Sequence, residues 1–205
     1  MHCFLIRILA LILVLALNAC STMPRFGGSN NAVNADTASA EVIDRYDRAL
    51  DEMKSGKDSR AIELFESFVA AYPEYPGASL NLAKLQLRND NSESAIEVLQ
   101  NCILLNHDYA PAYNQLGIIF REHGEFERAN TAYLNSISAD PTYALAYFNI
   151  GVLNDLYRQQ PQAALGYYQQ YRALIGVEVE DAEVDRWIRD LARRTGTELK
   201  AEVAQ

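Results

Sequence analysis

The chain has 205 residues, with 27 acidic against 18 basic side chains and a formal net charge of −9. That balance argues against nucleic acid and against a polybasic membrane contact. Its three cysteines and three histidines lack ligand spacing and form no triad, so a metal centre, a cofactor site and an enzymatic function are not expected.

Residues 1–19 combine one basic residue, Arg7, with an apolar run from Ile8 to Leu17, then Asn18 and Ala19 before Cys20. A short apolar core behind a positive charge reads as a signal peptide, and the run is shorter than the ~20 residues that span a bilayer. An uncleaved signal anchor is the alternative. Leu17-Asn18-Ala19-Cys20 resembles the lipobox of bacterial lipoproteins. The resemblance implies cleavage before Cys20, lipidation of Cys20 and, with Ser21 and Thr22 following, a place in the bacterial outer membrane facing the periplasm. Residues 20–40 are rich in Ser, Thr, Asn, Ala and Gly and read as a flexible tether. A tether of ~20 residues reaches ~25 Å. Cys3 would leave with the signal and Cys20 would carry lipid, which leaves Cys102 as a small apolar core residue.

From residue 41 the pattern becomes periodic. Ala61, Ala95, Ala129 and Ala163 stand 34 residues apart, each followed four positions on by Phe65, Leu99, Tyr133 or Tyr167. The period marks a helical repeat array, with units at 42–75, 76–109, 110–143 and 144–177. In each unit a small residue on the first helix (Ala83, Gly117, Gly151) is expected to face the small residue of the second. Gly56 and Gly124 suit the intervening turns, because glycine enters positive φ without a steric penalty. Pro73 and Pro141 stop the second helices. In unit four the same register puts Arg158 at the turn and Ile175 at the proline position. After a polar break, residues 178–205 form a cap and tail: Asp181 can N-cap a helix with Val184, Trp187, Ile188 and Leu191 on one stripe.

Unit three, with Tyr113, Leu116, Gly117, Phe120, Gly124, Phe126, Ala129, Tyr133, Ser136 and Pro141, resembles the tetratricopeptide repeat. The resemblance implies an all-α fold: a right-handed α-solenoid of about four helix-turn-helix units over residues 41–177 with a C-terminal capping helix. It also implies that the first helices line a concave groove. The groove positions carry Tyr46 and Leu50, then Leu80, Asn81, Lys84 and Arg88, then Asn114, Gln115, Ile118 and Arg121, then Phe148, Asn149, Val152 and Asp155. Asn81, Gln115 and Asn149 share one position and resemble the asparagine ladder with which peptide-binding members grip a backbone. Asparagine there can equally serve neighbouring backbone groups. Lys84, Arg88 and Arg121 could hold an acidic group, whereas the carboxylate clamp of cytosolic chaperone adaptors is not supported at Tyr46, Leu50, Pro111 and Gln115.

The implied function is a lipid-anchored scaffold that binds another envelope protein or peptide segment, similar to tetratricopeptide lipoproteins of pilus, murein-hydrolase or TonB-type systems. The alternative is a structural homodimer through Tyr157, Tyr168 and Tyr171 of unit four and the C-terminal helix.

Overall fold

A computed structural model of the protein describes residues 31–176 and 179–199. The expected signal peptide, Cys20 and the tether as far as residue 30 lie outside the described residues. Among those described there are nine α-helices, one π-helical turn and no strand. The helices are α1 (Asn31–Lys54), α2 (Asp58–Ala71), α3 (Pro76–Arg88), α4 (Ser92–Leu105), α5 (Ala110–Glu122), α6 (Phe126–Ala139), α7 (Ala144–Val152), α8 (Pro161–Ile175) and α9 (Ala182–Thr195). The π-helical turn, Leu153–Tyr157, continues α7.

The chain divides into residues 1–43 and 44–205. The first unit is described only as the helical residues 31–43. Helix α1 begins inside the stretch expected as a flexible tether, where Ala32, Ala35, Ala38 and Ala40 supply strong helix formers. No described helix is long and apolar enough to cross a membrane.

The described residues of the second unit, 44–176 and 179–199, form an α-solenoid. Helices pair in chain order, α3 with α4, α5 with α6, and α7 with α8, and the first helices of successive pairs also meet, α3 with α5 and α5 with α7. The alanines and large residues of the sequence pattern form the core: Ala61, Phe65, Ala95, Leu99, Ala129 and Tyr133 are all fully buried. Burying each large side chain contributes about 1.5–3 kcal/mol. Cys102 is buried as well, its thiol 3.9 Å from the Pro76 carbonyl oxygen, with its pKa raised by burial. Helix starts follow local chemistry. Asn91 and Asp181 accept the backbone N–H groups of Ser94 and Val184, and proline opens α3 and α8, where a missing N–H costs nothing.

The turns between paired helices reveal one departure from the sequence reading. Positive φ falls at Gly56, Asp90, Gly124 and Gln159, so the spacing is 34, 34 and then 35 residues. In the first three turns the closing N–H reaches back five residues, as from Glu125 to the Phe120 carbonyl at 2.8 Å. In the fourth, Gln160 reaches Asn154 at 2.8 Å, a step of six. The extra residue is absorbed in the π-helical turn, where the Arg158 N–H bonds the Leu153 carbonyl at 3.0 Å. Asn154 donates its side-chain amide to the Ile150 carbonyl at 2.7 Å, which satisfies an acceptor in the disturbed helix.

The consequence is a corrected register in repeat four. The buried pair is Ala164 and Tyr168, the latter 1% exposed, and not Ala163 and Tyr167, which are half-buried. The turn residue is Gln159, not Arg158. The small residues of the first helices also have a sharper role than expected. A Cβ at Gly117 would lie 2.4 Å from the Tyr133 ring, and one at Gly151 would lie 2.7 Å from the Tyr168 ring. Both glycines exist to admit an aromatic ring, rather than to let two small residues meet.

Helix α9 ends the array. Its buried residues Val184, Ile188, Leu191 and Ala192 repeat the spacing of Ala112, Leu116, Ile119 and Phe120 in α5. They pack on Ala164, Leu165 and Tyr168 of α8. Helix α9 therefore sits as the first helix of a further repeat would, with no second helix behind it among the described residues. Arg172 fastens it through Asp185 at 2.7 Å, and the Tyr171 hydroxyl donates to Asp181 at 3.0 Å.

Candidate binding groove

The first helices place the expected groove residues on two neighbouring stripes, because residues three and four apart share a helical face. On the amide stripe, Asn81 donates to the Tyr46 hydroxyl at 3.0 Å and Asn149 donates to the Asn114 side-chain oxygen at 2.9 Å. Each bond links one repeat to the preceding one across 35 residues. Both amides are thus held in one orientation and keep a second N–H and a carbonyl oxygen for other partners. Gln115, between them in the series, stands the same step from Leu80, and its side chain bonds no described residue. Asn114, expected to be exposed, is only 5% exposed because it is the acceptor for Asn149.

The charged positions differ from one another. Lys84 is exposed and carries no ion pair among the described residues. Arg88 reaches back to Asp58 at 2.7 Å. Arg121 is half-buried, and its Nε is a buried donor with no acceptor. Leu80 and Ile118 are half-buried and pack against the core.

At repeat four the expected groove is closed. Trp187 of α9 stacks on Phe148, with ring centroids 6.1 Å apart and planes 28° apart, and Val152 packs in the same cluster. Asp155, in the π-helical turn, pairs with Arg194 of α9 at 3.6 Å. Phe148 and Val152 are therefore not open pockets, and the accessible groove runs over repeats one to three. Tyr168 is buried, which removes it from the expected dimer surface; Tyr171 is half-buried and bonded to Asp181, and Tyr157 is exposed.

A tyrosine series escaped the sequence reading. Tyr75, Tyr109 and Tyr143 occupy the N-cap positions of α3, α5 and α7 at the same 34-residue spacing. Burial pushes the Tyr109 hydroxyl up to about 12. A Cβ at Gly77 would stand 3.4 Å from the Tyr46 hydroxyl and 4.0 Å from the Tyr109 hydroxyl, so both hydroxyls converge on the glycine that opens the groove side of α3. The signal that could have found them was the period itself, read at the residue before each first helix. On the second-helix side, a mostly apolar cleft of about 690 Å³ lies between α4 and α6, lined by Ile103, Leu104, Leu116, Phe120 and Ala132. No group of His, Cys, Asp or Glu that could hold a metal ion occurs among the described residues.

Comparison with known proteins agrees with this architecture. Two family models, each described as tetratricopeptide repeat, match residues 44–117 and 114–177. No curated protein sequence matches the chain. Among solved structures, the fold is similar to PilF of Pseudomonas aeruginosa, at 17% identity and a TM-score of 0.65, covering 77% of this chain and 70% of that one. It is similar to MamA, at 22% identity and a TM-score of 0.60, covering 76% and 82%. A thermophilic TPR protein of Thermus thermophilus follows at 20% identity and a TM-score of 0.57, covering 76% and 83%. These likenesses are of fold. Through residues 44–177, the chain belongs to the tetratricopeptide-repeat family.

Proposed function

We propose that this protein is a lipid-anchored scaffold of the bacterial envelope that holds an extended segment of a partner protein in the groove of repeats one to three. The observation that carries the reading is the oriented amide series. Asn81 and Asn149 are fixed by bonds to the preceding repeat, and Gln115 stands between them with no partner of its own among the described residues. Groups that are held in place before binding lose less freedom when a ligand arrives. The anchor rests on the lipobox resemblance at Cys20, and it would put the groove at the periplasmic side of the outer membrane. Assembly or regulation of an envelope machine is the role such a scaffold would serve.

In-cell crosslinking and capture with the full chain, beside an Asn81→Ala/Gln115→Ala/Asn149→Ala variant of matched helicity, tests the groove. Loss of the captured partner in the variant is expected; equal capture rejects the amide series and points to the cleft between α4 and α6. A Cys20→Ser variant that still incorporates labelled fatty acid rejects the anchor.

A further inference from the structure

One turn along from the amide stripe the first helices carry a second row. Leu50, Lys84, Ile118 and Val152 follow one another at steps of 34 residues. The bonds from Asn81 to Tyr46, at 3.0 Å, and from Asn149 to Asn114, at 2.9 Å, hold α3 against α1 and α7 against α5 in the same register. Helices α3 and α5 meet as well, so the four positions stand side by side. Leu50 and Ile118 are half-buried, and Val152 packs in the cluster that α9 covers. Lys84, between Leu50 and Ile118, is the charged and exposed member of an otherwise apolar row.

Lys84 is also left without an ion pair among the described residues, while its neighbours one turn further along are neutralised. On α1, Lys54 pairs with Asp51 at 4.0 Å, and on α3, Arg88 pairs with Asp58 at 2.7 Å. An exposed ammonium is stable in water. It becomes unfavourable when a bound chain covers it with an apolar side chain, because a desolvated charge must be paired. The row therefore discriminates between ligands: Leu50 and Ile118 suit apolar side chains, and Lys84 between them disfavours one and suits a carboxylate.

The repeat sets the spacing. Packed helices have axes about 8–10 Å apart and an extended chain rises about 3.3 Å per residue, so one repeat corresponds to about three residues of a bound segment. The row ends at repeat four, where Trp187 stacks on Phe148 beside Val152.

We infer that the groove of repeats one to three selects an extended partner segment with an acidic side chain at Lys84, flanked about three residues to either side by apolar side chains at Leu50 and Ile118. The inference rests on the groove reading above and names the residue pattern of its ligand.

The probes are end-blocked, fluorescently labelled peptides Ser-Leu-Ser-Ser-Z-Ser-Ser-Leu-Ser, with Z as Glu, Asp, Gln, Leu or Lys, titrated into the full chain in detergent and followed by anisotropy. The Glu and Asp peptides should bind about 5- to 10-fold more tightly than Gln, between the range of an exposed ion pair and that of a desolvated hydrogen bond to a charge. The Leu and Lys peptides should bind more weakly than Gln. Lys84→Gln should remove the preference for Glu over Gln, and Lys84→Glu should turn it toward Lys; the exposed position lets both variants fold. Equal binding of Glu and Gln, a preference unchanged in Lys84→Glu, or no binding by any peptide would overturn the inference. Shortening each Ser-Ser spacer to one residue should weaken binding, and equal binding would overturn the spacing. The Asn81→Ala/Gln115→Ala/Asn149→Ala variant should weaken all five peptides alike. If the peptides bind alike and all weaken in that variant, the Lys84 assignment fails and the groove reading stands. If the Glu preference follows Lys84 while that variant binds as the native chain does, the amide reading fails and the acidic assignment stands.

Discussion

Repeats three and four use the same packing device and differ by one residue. In both, a glycine on the first helix admits a tyrosine ring from the second, Gly117 for Tyr133 and Gly151 for Tyr168. In repeat three, α5 and α6 are joined by a turn with Gly124 at φ 76°. In repeat four a π-helical turn takes up an additional residue, and Gln159 adopts φ 54°. The core contact is preserved and the surface is not: Asp155 goes to α9 and Arg158 to Asn130 of α6. An insertion that a solenoid absorbs in a helix leaves its core intact and changes what its groove presents.

The largest test of that comparison is the register. Tyr168→Ala should cost about 3–5 kcal/mol, as for other buried aromatic truncations, whereas Tyr167→Ala should cost about 1 kcal/mol because its side chain is only half-buried. Chemical denaturation of both variants decides it, and equal losses would restore the uniform 34-residue register. Next in size is the ring contact. Gly117→Ala should lose about 1–2 kcal/mol, overpacking against Tyr133 outweighing the gain in helix propensity. Gly166→Ala, where a Cβ would meet nothing within 4 Å, should instead gain up to about 1 kcal/mol.

The turn gives a pair of opposite signs. Gln159→Gly should stabilise by about 1 kcal/mol, because it relieves a left-handed backbone at a residue with a Cβ. Arg158→Gly should destabilise, because it removes the bonds to Asn130 and Glu127. Thermal unfolding of the two variants separates the observed turn from the one the 34-residue register implies.

The smallest effect concerns how repeat three closes. The Thr142 hydroxyl and N–H both donate to Asp140, which holds its carboxyl below the ordinary carboxylate range. A depressed folded value means that the contribution is present above the unfolded value of about 3.9 and is lost as pH falls through the folded one. Asp140→Asn should therefore lower stability slightly at neutral pH and flatten the acid limb of the profile, the two proteins converging once Asp140 is protonated. Repeat four instead ends α8 with Gly176, at φ 79°, in the C-cap position that Asp140 holds in repeat three.

Much of this was legible in the residues. The period, the small-and-large pairs of the first three repeats, the turn glycines and the Asp181 cap follow from steric and hydrogen-bonding rules that act locally. The π-helical turn was not legible, because Ala163-Ala164 and Tyr167-Tyr168 present the same residue types in either register. Only the packing of Tyr168 on Gly151 decides between them. The closed groove at repeat four escaped for a different reason: Trp187 meets Phe148 outside the repeat period, so no spacing argument links them. The amides were visible as a series, but that two of them bind the preceding repeat depends on Tyr46 and Asn114, residues the series does not contain. Arg121 looked like any other groove cation, and only its missing acceptor set it apart.

Helix α9 has one more consequence. Leu116 is followed by Gly117 and Ile150 by Gly151, whereas Ile188, at the corresponding place, is followed by the exposed Arg189. A helix arriving to pack on α9 as α6 packs on α5 would bring an aromatic ring onto a guanidinium stem instead of a bare backbone. In that register α9 offers an added repeat, or the end of a second copy, a less complementary seat than α5 and α7 offer their own second helices.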